Sequence, residues 1–295
     1  MFHSEPRMRH GRKKAVERFR FRTLDGCALT AAQFHTNEPV ERGILLIPPL
    51  IGASYVLFGR QFSFLVKSGY RIVSLNYRGH HPSEGLFTLR TSFEDTLALA
   101  REIKQRDPSV PISAIGMCSG SMPIFHILDQ EPDLIDRLIF VNAIHHIQQT
   151  ATPLRAIRMY WSSRQFKPPK SLGEAVSVVL DEVFPEIDKA DDHFGILRYD
   201  RVRKPVLIRE YLFRGFPNTK FQIPKPTLCC YALNDLMLGL CDPERERAYR
   251  AEFSDRFPLA EFATFDSDHF MTGLREQIAR RVQTFLENGT PHTAA

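Results

Sequence analysis

Ile112-Ser-Ala-Ile-Gly116-Met-Cys118-Ser-Gly120-Ser-Met-Pro123 decides how the rest of this chain is read. Ile112 to Met117 is a short apolar run suited to a buried strand, and Met122 to Leu128 reads as the start of a helix. The chain therefore turns sharply from strand into helix. In such a turn the central residue is held in a strained backbone conformation and its side chain stands above the sheet. Strand and helix nearly touch, so the positions two before and two after the centre must lack bulk, and Gly116 and Gly120 meet that need. The centre is Cys118, at a helix N-terminus whose unpaired N–H groups favour a developing negative charge. On its own the pattern is weak, because a buried cysteine is usually inert core. A catalytic Cys118 needs a base and an acid from elsewhere in the chain.

Composition bounds the search. The chain has 295 residues, 43% of them hydrophobic and 25% charged, the profile of a globular protein with ample core. Its net charge of +5 is not spread evenly. Residues 1–22 carry a net +6, and the remainder is close to neutral at −1. A basic front edge on an unbiased body reads as a solvated tail, with contact to an anionic surface as the alternative, and no nucleic-acid partner is expected. Five cysteines, with no C-x-x-C spacing, form neither a disulfide framework nor a zinc site, so no metal is expected. The N-terminus has no apolar core of a signal peptide, and no stretch approaches a transmembrane length. These features predict a cytoplasmic protein.

Strands and helices alternate along the chain. Val16 to Thr23 and Leu29 to Phe34 read as a hairpin around Asp25-Gly26. Gly43 to Ile47 and Arg71 to Asn76 read as strands buried on both faces, with helical spacing from Tyr55 to Lys67 between them. Thr91-x-x-Glu94 has the form of a capping box opening a helix that ends at Asp107-Pro108. Further strands are predicted over Leu138–Val141, Thr227–Ala232 and Glu261–Phe265, and helices over 244–253 and 274–286. This alternation predicts an α/β protein with a mostly parallel sheet covered by helices on both faces. About 80 residues separate the strands ending at Val141 and starting at Thr227, far more than one crossover needs. That stretch is rich in aromatic residues and is read as a helical cap inserted over the carboxyl ends of the strands. The expected organisation is a basic tail over 1–15, a core over 16–144 and 223–295, and a cap over 145–222.

A nucleophilic cysteine requires a base oriented by a carboxylate. Asp235 follows the strand after the cap, in Leu233-Asn-Asp235, and His269 follows the last predicted strand, in Asp266-Ser-Asp-His269. Both fall where chain reversals leave the carboxyl edge of the sheet. Asp242 is the rival acid, but it precedes Pro243 and reads as a helix start. His80-His81 reads as a pair of solvent-facing loop histidines. His145-His146 is open between pocket lining and a structural role. Cys229-Cys230 lies inside a predicted strand and reads as core.

Taken together, the chain resembles the α/β-hydrolase superfamily from about residue 17 onward. The resemblance is carried by Leu45-Leu-Ile-Pro-Pro-Leu50, Asn76-Tyr-Arg-Gly79 with Ser83-x-Gly85, the Gly116–Gly120 turn, Asp235 and His269. It implies an eight-stranded α/β-hydrolase fold with chain order nucleophile, acid, histidine. Two departures stand out. Most relatives have Ser at the turn, while dienelactone hydrolases and polyhydroxyalkanoate synthases have Cys. Most also have His-Gly after the third strand, where this chain has Pro48-Pro49. The resemblance implies an oxyanion hole of two backbone N–H groups, one from Ser119. Proline has no N–H, so Leu50 is the first residue in the other loop able to donate, with Ile51 the alternative.

A thiolate paired with imidazolium is a strong nucleophile at neutral pH, and acyl exchange between two thiols is nearly level in free energy. The expected activity is that of a cysteine acyl hydrolase or thioesterase acting on a small apolar acyl (thio)ester, without a cofactor. A coenzyme A or carrier-protein thioester fits that chemistry. Acyl transfer to a second acceptor is the alternative, and an inactive fold kept as a binding protein is the reading of another class. Oligomeric state is not legible in the sequence.

Overall fold

A computed structural model of the chain describes residues 14–36, 42–50, 54–55, 62–144, 201–202, 206, 210, 222–269, 271 and 273–288. Eight strands form one sheet in the order β1-β2-β4-β3-β5-β6-β7-β8. They are β1 (Lys14–Arg22), β2 (Ala28–Thr36), β3 (Gly43–Leu46), β4 (Tyr70–Asn76), β5 (Ile112–Met117), β6 (Arg137–Val141), β7 (Thr227–Ala232) and β8 (Ala260–Phe265). Only β2 runs against its neighbours, and every pairing from β4 to β8 is parallel. The helices among the described residues are α1 (Ser63–Lys67), α2 (Leu89–Arg106), α3 (Ser121–Gln130), α4 (Pro243–Arg256) and α5 (Arg275–Asn288). The predicted tail over 1–15 gives up its last two residues to β1, because Lys14 and Ala15 continue the ladder opposite Thr36 and His35. The cap range 145–222, with His145 and His146, lies almost wholly outside the described residues.

The central strands are predominantly apolar because each is covered on both faces. Ile44, Leu46, Ile112, Ala114, Leu138, Phe140, Cys229 and Tyr231 point to one side and pack with Leu99, Ile103, Ile124, Phe125, Phe253 and Phe257 of α2, α3 and the end of α4. Leu45, Ile47, Ile115, Ile139, Val141, Leu228 and Cys230 point to the other, toward Leu65 and Val66 of α1 and Val282, Phe285 and Leu286 of α5. The two adjacent cysteines thus face opposite layers of the core, and burial raises both thiols above their ordinary pKa.

One cap differs from its sequence signature. The capping box of α2 is built on Thr88 and Thr91: each side chain takes the other's backbone N–H, so the helix opens at Leu89, three residues early. Glu94 pairs with Arg90 on the solvent face instead. The buried carboxylate of Glu210 also accepts from Leu89 N–H at 2.8 Å. Phe87 N–H donates to Arg201 O at 2.8 Å, so residues from within 145–222 are fastened to the turn ahead of α2.

That turn also contains the histidines read as solvent-facing. His81 is exposed, but His80 is fully buried, edge-on to the rings of Tyr77 and Phe87. Gly79, at φ +78°, lets the chain double back there, and a Cβ on it would lie 2.9 Å from Phe87. The doubling-back folds His80 inward, which hydropathy does not reveal. Burial pushes the His80 imidazole down to about 4.

Two expectations follow. In the unfolded chain His80 titrates near 6.5, so the unfolded state takes up a proton first as pH falls. The stability of the parent relative to His80→Gln should decline by roughly 3 kcal/mol between pH 6.5 and pH 4, read from urea midpoints, and a flat difference would show that His80 is not held neutral. Separately, a Cβ on Gly116 would stand 2.7 Å from Ser121 Cα and 2.8 Å from Ile124 Cδ1. Gly116→Ala should cost about 3 kcal/mol, the upper end for overpacking, and a cost under about 1 kcal/mol would show the turn is looser than described.

Candidate active site

Strand order reverses between β3 and β5, and the loops leaving the carboxyl ends of these two strands meet. β5 ends at Met117, and Cys118–Gly120 form a single turn of 3₁₀ helix leading into α3. Cys118 has φ 44°, the left-handed region that a residue with a Cβ rarely occupies. The contacts on either side enforce it. Gly116 is against Ser121, and a Cβ on Gly120 would fall 2.6 Å from the carbonyl oxygen of Pro48. The Cys118 side chain is partly buried and so remains reachable.

Asp235 and His269 come from loops after β7 and β8. Asp235 Oδ1 accepts from Leu238 N–H at 2.9 Å, and its carbonyl accepts from Leu240 N–H at 2.9 Å. The carboxylate is thereby fixed in a fully buried position with Oδ2 free to meet the histidine. His269 Nδ1 lies 2.6 Å from it, the short contact of a charge-assisted hydrogen bond. His269 Nε2 is buried as well. Burial disfavours the charged ring, yet the Asp235 carboxylate, negative charge on Cys118 and hydrogen bonds to both outweigh it and hold the His269 pKa well above its ordinary value. The three residues picked out in the sequence, Cys118, Asp235 and His269, are therefore brought together at one point.

A family model described as "alpha/beta hydrolase fold" matches residues 43–172, which includes the Cys118 turn. With the strand order above, that decides the architecture. The chain has the α/β-hydrolase fold. Solved structures of this fold align over nearly the whole chain. An esterase of Pyrococcus furiosus is 16% identical, covers 93% of this chain and 91% of its own, and superposes with a TM-score of 0.64. A carboxyl esterase from Bacillus coagulans, described as highly thermostable, is 12% identical over 93% and 98% with a TM-score of 0.63. A laboratory-evolved potato epoxide hydrolase is 18% identical over 93% and 100% with a TM-score of 0.62. None of the curated proteins compared matches the chain.

Within this α/β-hydrolase fold the rival acid is excluded by position. Asp242 is exposed and is the N-cap of α4, where its side chain accepts from Glu244 N–H at 3.0 Å. Ser119 follows Cys118 in the turn, and Leu50 lies at the end of the described loop after β3; Ile51 falls outside the described residues. The Pro48-Pro49 loop has its own support. Tyr77, fully buried, donates its hydroxyl to Pro49 O at 3.0 Å. In a trans peptide the N–H points opposite to the C=O, so this bond turns Leu50 N–H away from Tyr77. Ser121 is a brace: its Oγ donates to Cys118 O at 2.5 Å and accepts from Ile144 N–H at 3.0 Å. Tyr77 stands in the Asn76-Tyr-Arg-Gly79 motif and Ser121 beside the turn, but the bonds of Tyr77 to Pro49 and of Ser121 to Ile144 join residues more than twenty positions apart and were not legible in the sequence. No described group of His, Cys, Asp and Glu could hold a metal, and no described helix is long and apolar enough to cross a membrane.

Asp235→Asn should lower kcat by about a hundredfold or more, because an amide next to Nδ1 favours the wrong imidazole tautomer. Asp242→Asn, which keeps a good cap, should stay within about twofold of the parent. Steady-state turnover of an acyl thioester decides between them, and the reverse ranking would assign the acid to Asp242.

Proposed function

We propose that the protein is an acyl hydrolase that works through a covalent acyl-enzyme on Cys118, with His269 as base and Asp235 as the acid that orients it. The observation that carries this reading is the meeting of a strained Cys118 with the buried, short Asp235–His269 pair. Strain at a nucleophile position is maintained only where surrounding contacts over-determine it, and here Gly116 and Gly120 do so.

The steps follow from these positions. The Cys118 thiolate attacks the substrate carbonyl carbon while His269 holds the proton. Negative charge develops on the carbonyl oxygen and is met by the N–H groups of Ser119 and Leu50. Collapse forms a thioester on Cys118 and breaks the bond to the leaving group, which takes the proton from His269 Nε2. His269 then removes a proton from water, the resulting hydroxide attacks the acyl carbon, and Cys118 leaves as thiolate with release of the carboxylic acid.

A thioester substrate suits a cysteine better than an oxygen ester does. Attacking and leaving thiolates are then of similar basicity, so the tetrahedral intermediate partitions forward without a strongly protonated leaving group. The same near balance favours acyl transfer to a second thiol as the alternative outcome, decided by whether water or an acceptor reaches the acyl-enzyme. The esterase relatives support hydrolysis of an acyl bond as the general class.

Incubation with a panel of acyl thioesters should add one acyl mass to the intact protein, on Cys118, removable by hydroxylamine. Iodoacetamide should label Cys118 near pH 6, ahead of the other four cysteines. Cys118→Ser should be strongly impaired, since a hydroxyl has a far higher pKa and needs better alignment with its base. His269→Ala should lose about a thousandfold in kcat. Folded protein that forms no adduct on Cys118, or an equally active Cys118→Ser, would overturn the cysteine mechanism and favour a binding protein or a different nucleophile.

A further inference from the structure

Cys118 and His269 sit on loops after β5 and β8, with β6 and β7 between them in the sheet. Nothing in the covalent chain sets their separation. Among the described residues, the segment leaving β6 reaches both. Asn142, the first residue beyond that strand, is 1% exposed and has φ 45°. Its Nδ2 donates to the carbonyl oxygen of His269 at 2.7 Å, and its Oδ1 accepts from Ala232 N–H at 2.8 Å. Its own backbone N–H donates to Cys230 O at 2.9 Å. Ala232 is the last residue of β7, three before Asp235.

Two residues further on, Ile144 N–H is shared between the Cys118 carbonyl, at 3.3 Å, and Ser121 Oγ, at 3.0 Å. Between them, Ala143 O accepts from the buried Tyr249 hydroxyl at 3.2 Å. Residues 142–144 thus form a bracket: one end holds the His269 loop and the end of β7, the other holds the nucleophile turn, and Tyr249 steadies the middle. The side chain at 142 must donate on one side, accept on the other, and tolerate a left-handed backbone. Asparagine does all three, since an ionised Asp cannot donate, Gln is a methylene too long, and an apolar residue of the same shape leaves two buried backbone groups without these bonds.

We propose that Asn142 is a positioning residue for the proposed mechanism: through its bond to the His269 carbonyl it sets the separation of the His269 ring and the Cys118 sulfur. The inference rests on the Cys118–His269–Asp235 reading. The role is separable from fold stability by two variants: Asn142→Asp keeps the shape, the left-handed preference and the acceptor for Ala232 but sets a carboxyl oxygen against the His269 carbonyl, and Asn142→Gly removes the side chain without adding a charge.

The test is the rate of iodoacetamide labelling of Cys118 from pH 5 to pH 9, located by peptide mass, together with steady-state kinetics on a thioester, in the parent, Asn142→Asp and Asn142→Gly. Asn142→Gly keeps the backbone conformation and drops both side-chain bonds. In both variants labelling at pH 6 should fall about tenfold or more relative to the parent. The kcat should drop about 10- to 100-fold with KM within about twofold. If either variant is folded by circular dichroism at the assay temperature and keeps the parent's labelling profile and kcat, the positioning role is wrong and Asn142 is merely structural. A parent that shows no selective labelling of Cys118 at pH 6 overturns the underlying mechanism instead, and the proposal with it.

Discussion

The left-handed backbone at Cys118 is the constraint on which the site depends. A residue with a Cβ does not adopt φ 44° unless its surroundings remove every alternative. Here they do so by close backbone contact: Gly116 against the first residue of α3, and Gly120 against the Pro48 carbonyl. These contacts exist because β3 and β5 are adjacent parallel strands whose exits must share the same small volume. The strain, the missing side chains at 116 and 120, and the placement of Cys118 above the sheet edge are one geometric fact.

Once the turn is fixed, the remaining chemistry is supplied by the edge. Parallel strands deliver their carboxyl ends to the same side, so the loops after β3, β5, β7 and β8 converge without any long-range sequence motif. Burial then gives the convergence its chemical meaning. Asp235 is removed from water with its oxygens committed to Leu238 N–H and His269 Nδ1, which leaves it able to do little except orient and stabilise the ring. For His269, also buried, the neighbouring Asp235 carboxylate raises the pKa against the opposing cost of burial. A pair of this kind is poorly screened, so small changes in its spacing carry large effects. That is why backbone anchors such as Asn142, Ser121 and Tyr77 matter at a site they do not enter.

Legibility in the sequence followed the range of the interaction. The strands were readable because each central strand is predominantly apolar, and Thr227–Ala232 and Ile112–Met117 coincide with the predicted runs. The triad candidates were readable because each lies just past a strand end. The α2 cap was misread because Thr91-x-x-Glu94 satisfies the local pattern while Thr88 and Thr91 satisfy the backbone. His80 was misread for a similar reason: it sits in a polar turn, and only the doubling-back at Gly79 places it between Tyr77 and Phe87.

The sequence by itself determined the alternation of strands and helices, the turn around Cys118, and the placing of Cys118, Asp235 and His269 just past strand ends. These are local properties, set by side-chain size, hydropathy and a few backbone-permissive residues. Tertiary structure decided which of two aspartates meets the histidine. Asp235 and Asp242 are seven residues apart, yet one is buried 2.6 Å from His269 and the other caps a surface helix. Tertiary structure also gave Asn142 its three partners, at 230, 232 and 269. An amide's value lies in what stands on either side of it, and a linear sequence does not contain that until the sheet has brought distant strands together.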